Sequence, residues 1–225
     1  MIPYKLDEVY FKDFEVNKSG EKTIRALLLF KTKDSEMTNY VRFHALQDCF
    51  DNFVSVYVIL EKPLKKCLKE ENFKIYGCFV LKIKNFLIPE EVEDKDIRKM
   101  NRGYTGREIP CIFICRICKD NDCFLNLEEF LECIEDIAGR IKRYANCNHI
   151  VVETYIEKLT YKYKEEGYKI LLQKEKSWLF YKKIPPFFTE EIDWVLLAYD
   201  SGKINLEEFR EIKEKQINHL KSLIK

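Results

Sequence analysis

Glycine is scarce in this chain, with seven in 225 residues, and none lies in the segment Asp120 to Glu129. No Walker-type phosphate loop is present, because such a loop needs glycines whose bare backbone approaches the phosphates. Histidine is scarcer still. His44, His149 and His219 show no ligand spacing, so no zinc motif is expected, and no Ser-His-Asp order appears. Charge of one sign is also missing: 39 Lys plus Arg stand against 38 Asp plus Glu, a net charge of +1, so nucleic acid is not indicated by net charge. Lys62, Lys65, Lys66 and Lys69 cluster, as do Lys162, Lys164 and Lys169, and groups of this size read as solvated faces. Long apolar runs are lacking too. Val54 to Leu60 falls far short of the roughly 18 residues of a membrane span, and no apolar stretch follows a basic N-terminus. The expectation is a soluble, cytoplasmic protein with no membrane partner.

Cysteine, by contrast, is plentiful and unevenly spaced. Nine residues, several inside apolar strands, read as small buried hydrophobes in a reducing compartment rather than a disulfide framework. Cys111, Cys115 and Cys118 formally match a three-cysteine cluster spacing. On a regular strand, however, Cys111 and Cys115 share one face and Cys118 takes the other, so the three do not converge and no metal is expected.

The most legible stretch runs from Ile109 to Ile184. Pro110-Cys-Ile-Phe-Ile-Cys-Arg-Ile-Cys118 is an apolar run of the kind buried on both faces of a sheet. Asn126 with Glu129 forms a capping box, followed by Leu127, Phe130, Leu131, Ile134, Ile137, Ala138 and Ile141 at helical spacing. His149 to Glu153 is a second buried strand, Leu159 to Tyr168 a short helix stopped by Gly167, and Gln173 to Ile184 a turn and strand. Glu8 to Val16 and Thr23 to Lys31 read as a strand hairpin around Asn17, Lys18, Ser19 and Gly20. Asp51 to Leu60 and Pro63 to Leu68 remain open between strand and helix, and Val92 to Gly106 reads as a loop or lid.

Three pieces carry a family resemblance. Ile109 to Asp120 is similar to a central strand with proline, an apolar run, arginine and a closing acidic residue; Gly77-Cys-Phe-Val-Leu-Lys-Ile83 is similar to the strand before it; Tyr163-Lys-Glu-Glu-Gly-Tyr168 looks like the Tyr-x-x-x-Gly-Phe close of a late helix. Over Ile75 to Ile184 the chain resembles the GNAT superfamily of acyl-CoA-dependent acetyltransferases, especially its compact toxin-like members. The resemblance implies a mixed α/β fold with a central sheet flanked by helices, and acyl transfer from acetyl-CoA to an amine acceptor. It also implies a cofactor-binding stretch at Ile117, Cys118, Lys119, Leu125, Asn126 and Leu127. There the sequence departs from the family, whose loop carries glycines that bare its amides to the pyrophosphate. Leu125 and Leu127 would crowd that approach, and Asp120, Asp122, Glu128 and Glu129 would repel the ligand. The alternative expectation is an inactive GNAT-fold module that binds another protein.

Tyr163 sits where the family places the phenol that protonates the departing thiolate; it equally suits plain core coverage. Glu153, at a strand end, is the candidate base for the amine, with an exposed carboxylate as its bland reading. Arg116 falls beside the expected acceptor cleft, or pairs with a carboxylate.

After Pro185-Pro186 a separate unit is expected. Glu190 to Asp200 and Asn205 to Ile224 read as two helices, and Gly202-Lys-Ile204 before Glu207-Glu-Phe209 resembles the short C-terminal hairpins of the SHOCT type. The expected division is therefore 1–184 and 185–225. The hairpin's apolar faces call for a surface, either the core, a second copy in a homodimer or a protein partner.

Overall fold

The computed structural model describes residues 3–100, 106–145 and 147–184, with Glu207, Glu208 and Glu211 beyond them. In order, the elements are β1 (Pro3–Lys5), α1 (Leu6–Asn17), α2 (Glu21–Leu29), α3 (Ser35–Phe43), α4 (Ala45–Phe50), β2 (Ser55–Leu60), α5 (Leu64–Cys67) and β3 (Ile75–Leu87). Then come α6 (Asp94–Met100), β4 (Glu108–Lys119), α7 (Leu127–Ala145), β5 (His149–Thr154), α8 (Glu157–Glu165), β6 (Lys169–Gln173) and β7 (Trp178–Lys183). Seven described strands form one sheet in the order β1-β2-β3-β4-β5-β7-β6. Only β4 and β5 run parallel, with α7 as their crossover; every other pair is antiparallel.

Both sheet faces are covered, as a mixed sheet between helices requires. On the first face Phe79, Leu81, Ile112, Ile114, Ile150, Val152 and Phe180 pack under Phe130, Leu131, Ile134 and Ala138 of α7 and Tyr163 of α8. The second face carries two cores. Val56, Val58, Cys78 and Val80 pack against α1 to α5, and Ile109, Cys111, Val151, Leu179 and Tyr181 pack against Ile97 and Met100 of α6.

The N-terminal hairpin of strands is overturned: residues 6–29 form the two packed helices α1 and α2, joined where the turn residues stand, with Lys18 and Gly20 at positive φ. The buried residues of α1 are Leu6, Val9 and Asp13, at helical spacing, whereas the aromatic Phe11 and Phe14 are exposed. An aspartate on the buried side and phenylalanines on the open side disguised the helical period. Asp13 is there for a reason. Its Oδ2 accepts from Thr23 N at 2.8 Å and Thr23 Oγ1 at 3.0 Å, supplying α2 with the start cap that Gly20 cannot.

Two other ambiguous stretches resolve as β2 and α5, and the expected loop before the central strand contains α6, held by buried Ile97 and Met100. The C-terminal hairpin lies outside the described residues apart from Glu207, Glu208 and Glu211, which are helical. No helix among the described residues is long and apolar enough to cross a membrane.

Candidate functional site

The central feature is where β4 and β5 part. Their parallel ladder joins Cys111, Ile112, Phe113 and Ile114 to His149, Ile150, Val151 and Val152, and no further described pair follows, although β4 continues to Lys119 and β5 to Thr154. A bulge sits at that point. Across β3, Leu81 faces Ile114 while Val80 faces Arg116, leaving Cys115 as the extra residue. The upper half of β4 therefore has a backbone edge toward β5 that the ladder does not use, and β4 is buried on both faces only below it.

The bulge also corrects the expected cysteine geometry. Cys111 opposes Lys84 and Cys118 opposes Cys78, two even positions on β3, so Cys111 and Cys118 share the second face and Cys115 stands exposed between them. One inserted residue reverses the alternation. Among the described residues no group of three or more His, Cys, Asp or Glu side chains is placed to hold a metal ion.

Above the parting lies the loop into α7. Asn126 Oδ1 accepts from Glu129 N and Glu129 Oε2 accepts from Asn126 N, each at 3.0 Å, the reciprocal capping box read from the sequence. Leu125 is fully buried, so its side chain turns into the core rather than crowding an approaching ligand, and Leu127 packs half-buried beside it. Lys119 Nζ donates to Leu125 O at 2.8 Å. Ile117 packs on the first-face core and Cys118 on the second, so these two neighbours on β4 face opposite sides of the sheet.

The acidic residues of this loop also divide. Asp120 is buried; its Oδ2 accepts from Lys31 N and its Oδ1 from Asp122 N, with Lys74 Nζ 3.4 Å away. Asp122 also pairs with Lys74, which holds its carboxyl below the usual range. Only Glu128 and Glu129 therefore keep negative charge directed at the first turn of α7.

Tyr163 and Glu153 occupy opposite faces. Tyr163 is buried on the first face, its ring 5.3 Å from that of Phe180 and 5.5 Å from that of Tyr168. Phe180 opposes Val152, the last ladder residue, so this ring sits at the level where the strands part. Burial pushes the Tyr163 phenol up to about 12. Glu153 alternates with Val152 onto the second face, where its Oε1 accepts from Ser177 Oγ at 2.7 Å and Lys174 Nζ lies 4.0 Å away. Arg116, on that same face, stacks its guanidinium 4.6 Å from the Tyr40 ring and reaches Glu36 Oε1 at 3.3 Å, pairing with a helix carboxylate.

One group escaped the sequence reading. On the second face Lys84 Nζ stands 3.7 Å from the Phe113 ring centre and 5.7 Å from that of Phe86, and the two rings stack at 6.4 Å. Lys82, opposite Phe113 in the ladder, lies 5.8 Å from the Phe53 ring. The alternating Lys82 and Lys84 in an otherwise apolar strand were the available signal.

No protein-family model matches the sequence, and no curated protein matches it. Solved structures do. A tyrosine-to-phenylalanine mutant of KacT aligns at TM-score 0.56 with 13% identity, over 69% of this chain and 86% of that one. AtaT complexed with acetyl-methionyl-tRNAfMet aligns at 0.53 with 14% identity, over 68% and 86%, and AtaT bound with acetyl-CoA alongside its partner AtaR at 0.53 with 14%, over 70% and 86%. At such identities the likeness concerns architecture alone, and the chain shares with these proteins the mixed, helix-flanked sheet of the GNAT-type fold.

Proposed function

We propose that the protein is an N-acyltransferase that moves an acyl group from acyl-CoA to an amine through the gap between β4 and β5. The observation that carries this reading is the parting of the two strands with Tyr163 on one face and Glu153 on the other. The unused β4 edge suits the amide-bearing arm of CoA, which can add to a strand by main-chain hydrogen bonds. A thioester threaded there meets an acid on its sulfur side and a base on its amine side. The amine nitrogen attacks the thioester carbonyl, the C–S bond breaks, Tyr163 gives its proton to the leaving thiolate, and the amine's proton passes to Glu153. No covalent enzyme intermediate is involved.

The acceptor class follows from the second face. Lysines set on stacked phenylalanines offer a surface for bases and phosphates, and the AtaT neighbour holds an N-acylated aminoacyl-tRNA. An aminoacyl end of RNA is therefore the acceptor to assay first. Labelled acetyl-CoA is incubated with the full chain and, in separate reactions, charged tRNA, uncharged tRNA and a lysine-rich peptide. Label appearing only on the charged tRNA supports the reading. No transfer to any amine overturns it.

A second reading keeps the fold without the chemistry, as a module that binds a protein. It is favoured by the helix start of α7, where the Glu129 carboxylate already occupies the Asn126 amide that a diphosphate would seek. Neighbouring AtaT is solved bound to the C-terminus of the antitoxin AtaR, a precedent for a protein partner on this fold. For this chain we place the contact on residues 185–225. Sedimentation of a chain ending at Pro185 tests it: loss of a dimer or of a captured partner with the fold retained supports the contact, and unchanged association refutes it.

A further inference from the structure

Cys78 on β3 and Cys118 on β4 stand directly opposite each other in the antiparallel ladder, on the face covered by α1 to α5. Opposed residues of such a ladder have Cα atoms about 4.5–5.5 Å apart, inside the roughly 4.4–6.8 Å that a disulfide spans. The Cys118 side chain already points across the pair, its Sγ lying 3.6 Å from Cys78 O. Of the chain's cysteines, Cys78 is buried and Cys118 only half-buried, so one thiol is reachable and the other waits behind it.

The geometry points to Cys78 and Cys118 as a redox couple that closes into a cross-strand disulfide when a hydroperoxide oxidises Cys118. Two observations set the order of events. Contact with the Cys118 thiol, together with burial, holds the Cys78 thiol well above its ordinary range, so Cys78 is not the attacking thiolate. Cys118 is half-buried while Cys78 lies behind it, so the Cys118 sulfur is the one a hydroperoxide reaches first. In the first step the Cys118 thiolate attacks a peroxide oxygen; the O–O bond breaks, a sulfenic acid forms, and the leaving oxygen takes a proton to become water, or an alcohol from an organic peroxide. In the second, the Cys78 sulfur attacks Cys118 Sγ, the S–O bond breaks, and the Cys78 proton leaves with the hydroxide as water. The peroxide is reduced by the two electrons the thiols give up.

The bond would close beside Lys119 and Asp120, at the point where β4 hands over to the loop into α7, and so would fasten that end of the strand to β3. The inference does not rest on acyl transfer, and its test needs no turnover. The full chain is treated with hydrogen peroxide near stoichiometry, free thiols are blocked with N-ethylmaleimide, and peptides are mapped with and without dithiothreitol. The expected product is a linked peptide pair joining Cys78 to Cys118, a loss of two hydrogens in the intact mass, and a higher melting midpoint that falls back on reduction. Cys78→Ser, or Cys78→Ala where serine unfolds the buried site, leaves a Cys118 sulfenic acid that dimedone captures, while Cys118→Ser leaves Cys78 unoxidised. Recovery of both residues of the peroxide-treated wild type as maleimide adducts overturns the inference, as does a linkage of Cys118 to any other cysteine.

Discussion

Asp120 Oδ2 accepts the backbone N–H of Lys31 at 2.8 Å, a bond that ties chain segments 89 residues apart. Through it the loop at the top of β4 is anchored to the connection after α2, and Asn121 N donates to Lys31 O at 2.8 Å beside it. Replacing Asp120 with alanine removes the acceptor of the Lys31 and Asp122 amides, at a cost of about 0.5–1.5 kcal/mol for each of these part-buried bonds. Asp120→Asn, which keeps one carbonyl oxygen, should cost less. Urea unfolding of the two variants checks the order.

Gly77 faces Phe130. A Cβ built at Gly77 would lie 2.3 Å from Phe130 Cζ and 2.5 Å from Cε1, so alanine there must displace the ring or the start of α7. Overpacking of this kind costs about 1–3 kcal/mol. In a Phe130→Leu background the same substitution should be nearly free, because the collision is gone. Denaturation of the double-mutant cycle measures the coupling, and additive losses would refute the contact.

For Tyr163 two readouts separate acid from core residue. Tyr163→Phe should lower the maximal acyl-transfer rate by about 10²-fold while the melting temperature stays near the wild type's. The pH dependence has a defined sign. With the folded phenol at about 12, above the ordinary value near 10, the folded state holds a proton that the unfolded chain releases, so stability falls as pH rises through that interval. Tyr163→Phe should remove that part of the alkaline slope. Nothing is expected of it below about pH 9.

Acetyl-CoA binding should be weaker than the glycine-bearing loops of GNAT enzymes allow, by more than about 1.4 kcal/mol or tenfold. Glu129→Gln keeps a hydrogen-bonding cap but removes the charge from the helix start, and should tighten binding by about 0.3–1 kcal/mol. Calorimetric titration of both proteins decides the matter, and micromolar binding by the wild type would contradict the first half.

Much of the second half of the chain was legible because its signals are local. The Asn126 and Glu129 box, the Gly167 stop at φ +79°, and the apolar runs of β4 and β5 each act within a few residues, and each stands where its pattern placed it. The first half was not, because α1 and α2 bury Asp13 and Thr23 against each other and leave Phe11 and Phe14 outside. Period arguments assume that polar residues face water. A polar pair whose partners meet only after folding violates that assumption in both helices at once.

What the sequence determined by itself was the order of the later elements, since capping, turn formation and hydrophobic period are short-range properties of the chain. Tertiary structure alone decided which residues share a face and which carboxylates remain free. One bulged residue at Cys115 moved Cys118 beside Cys78, and burial converted Asp120 from a repelling charge into an anchor for Lys31. Register and desolvation are set by partners far away in sequence, so no window of neighbouring residues contains them.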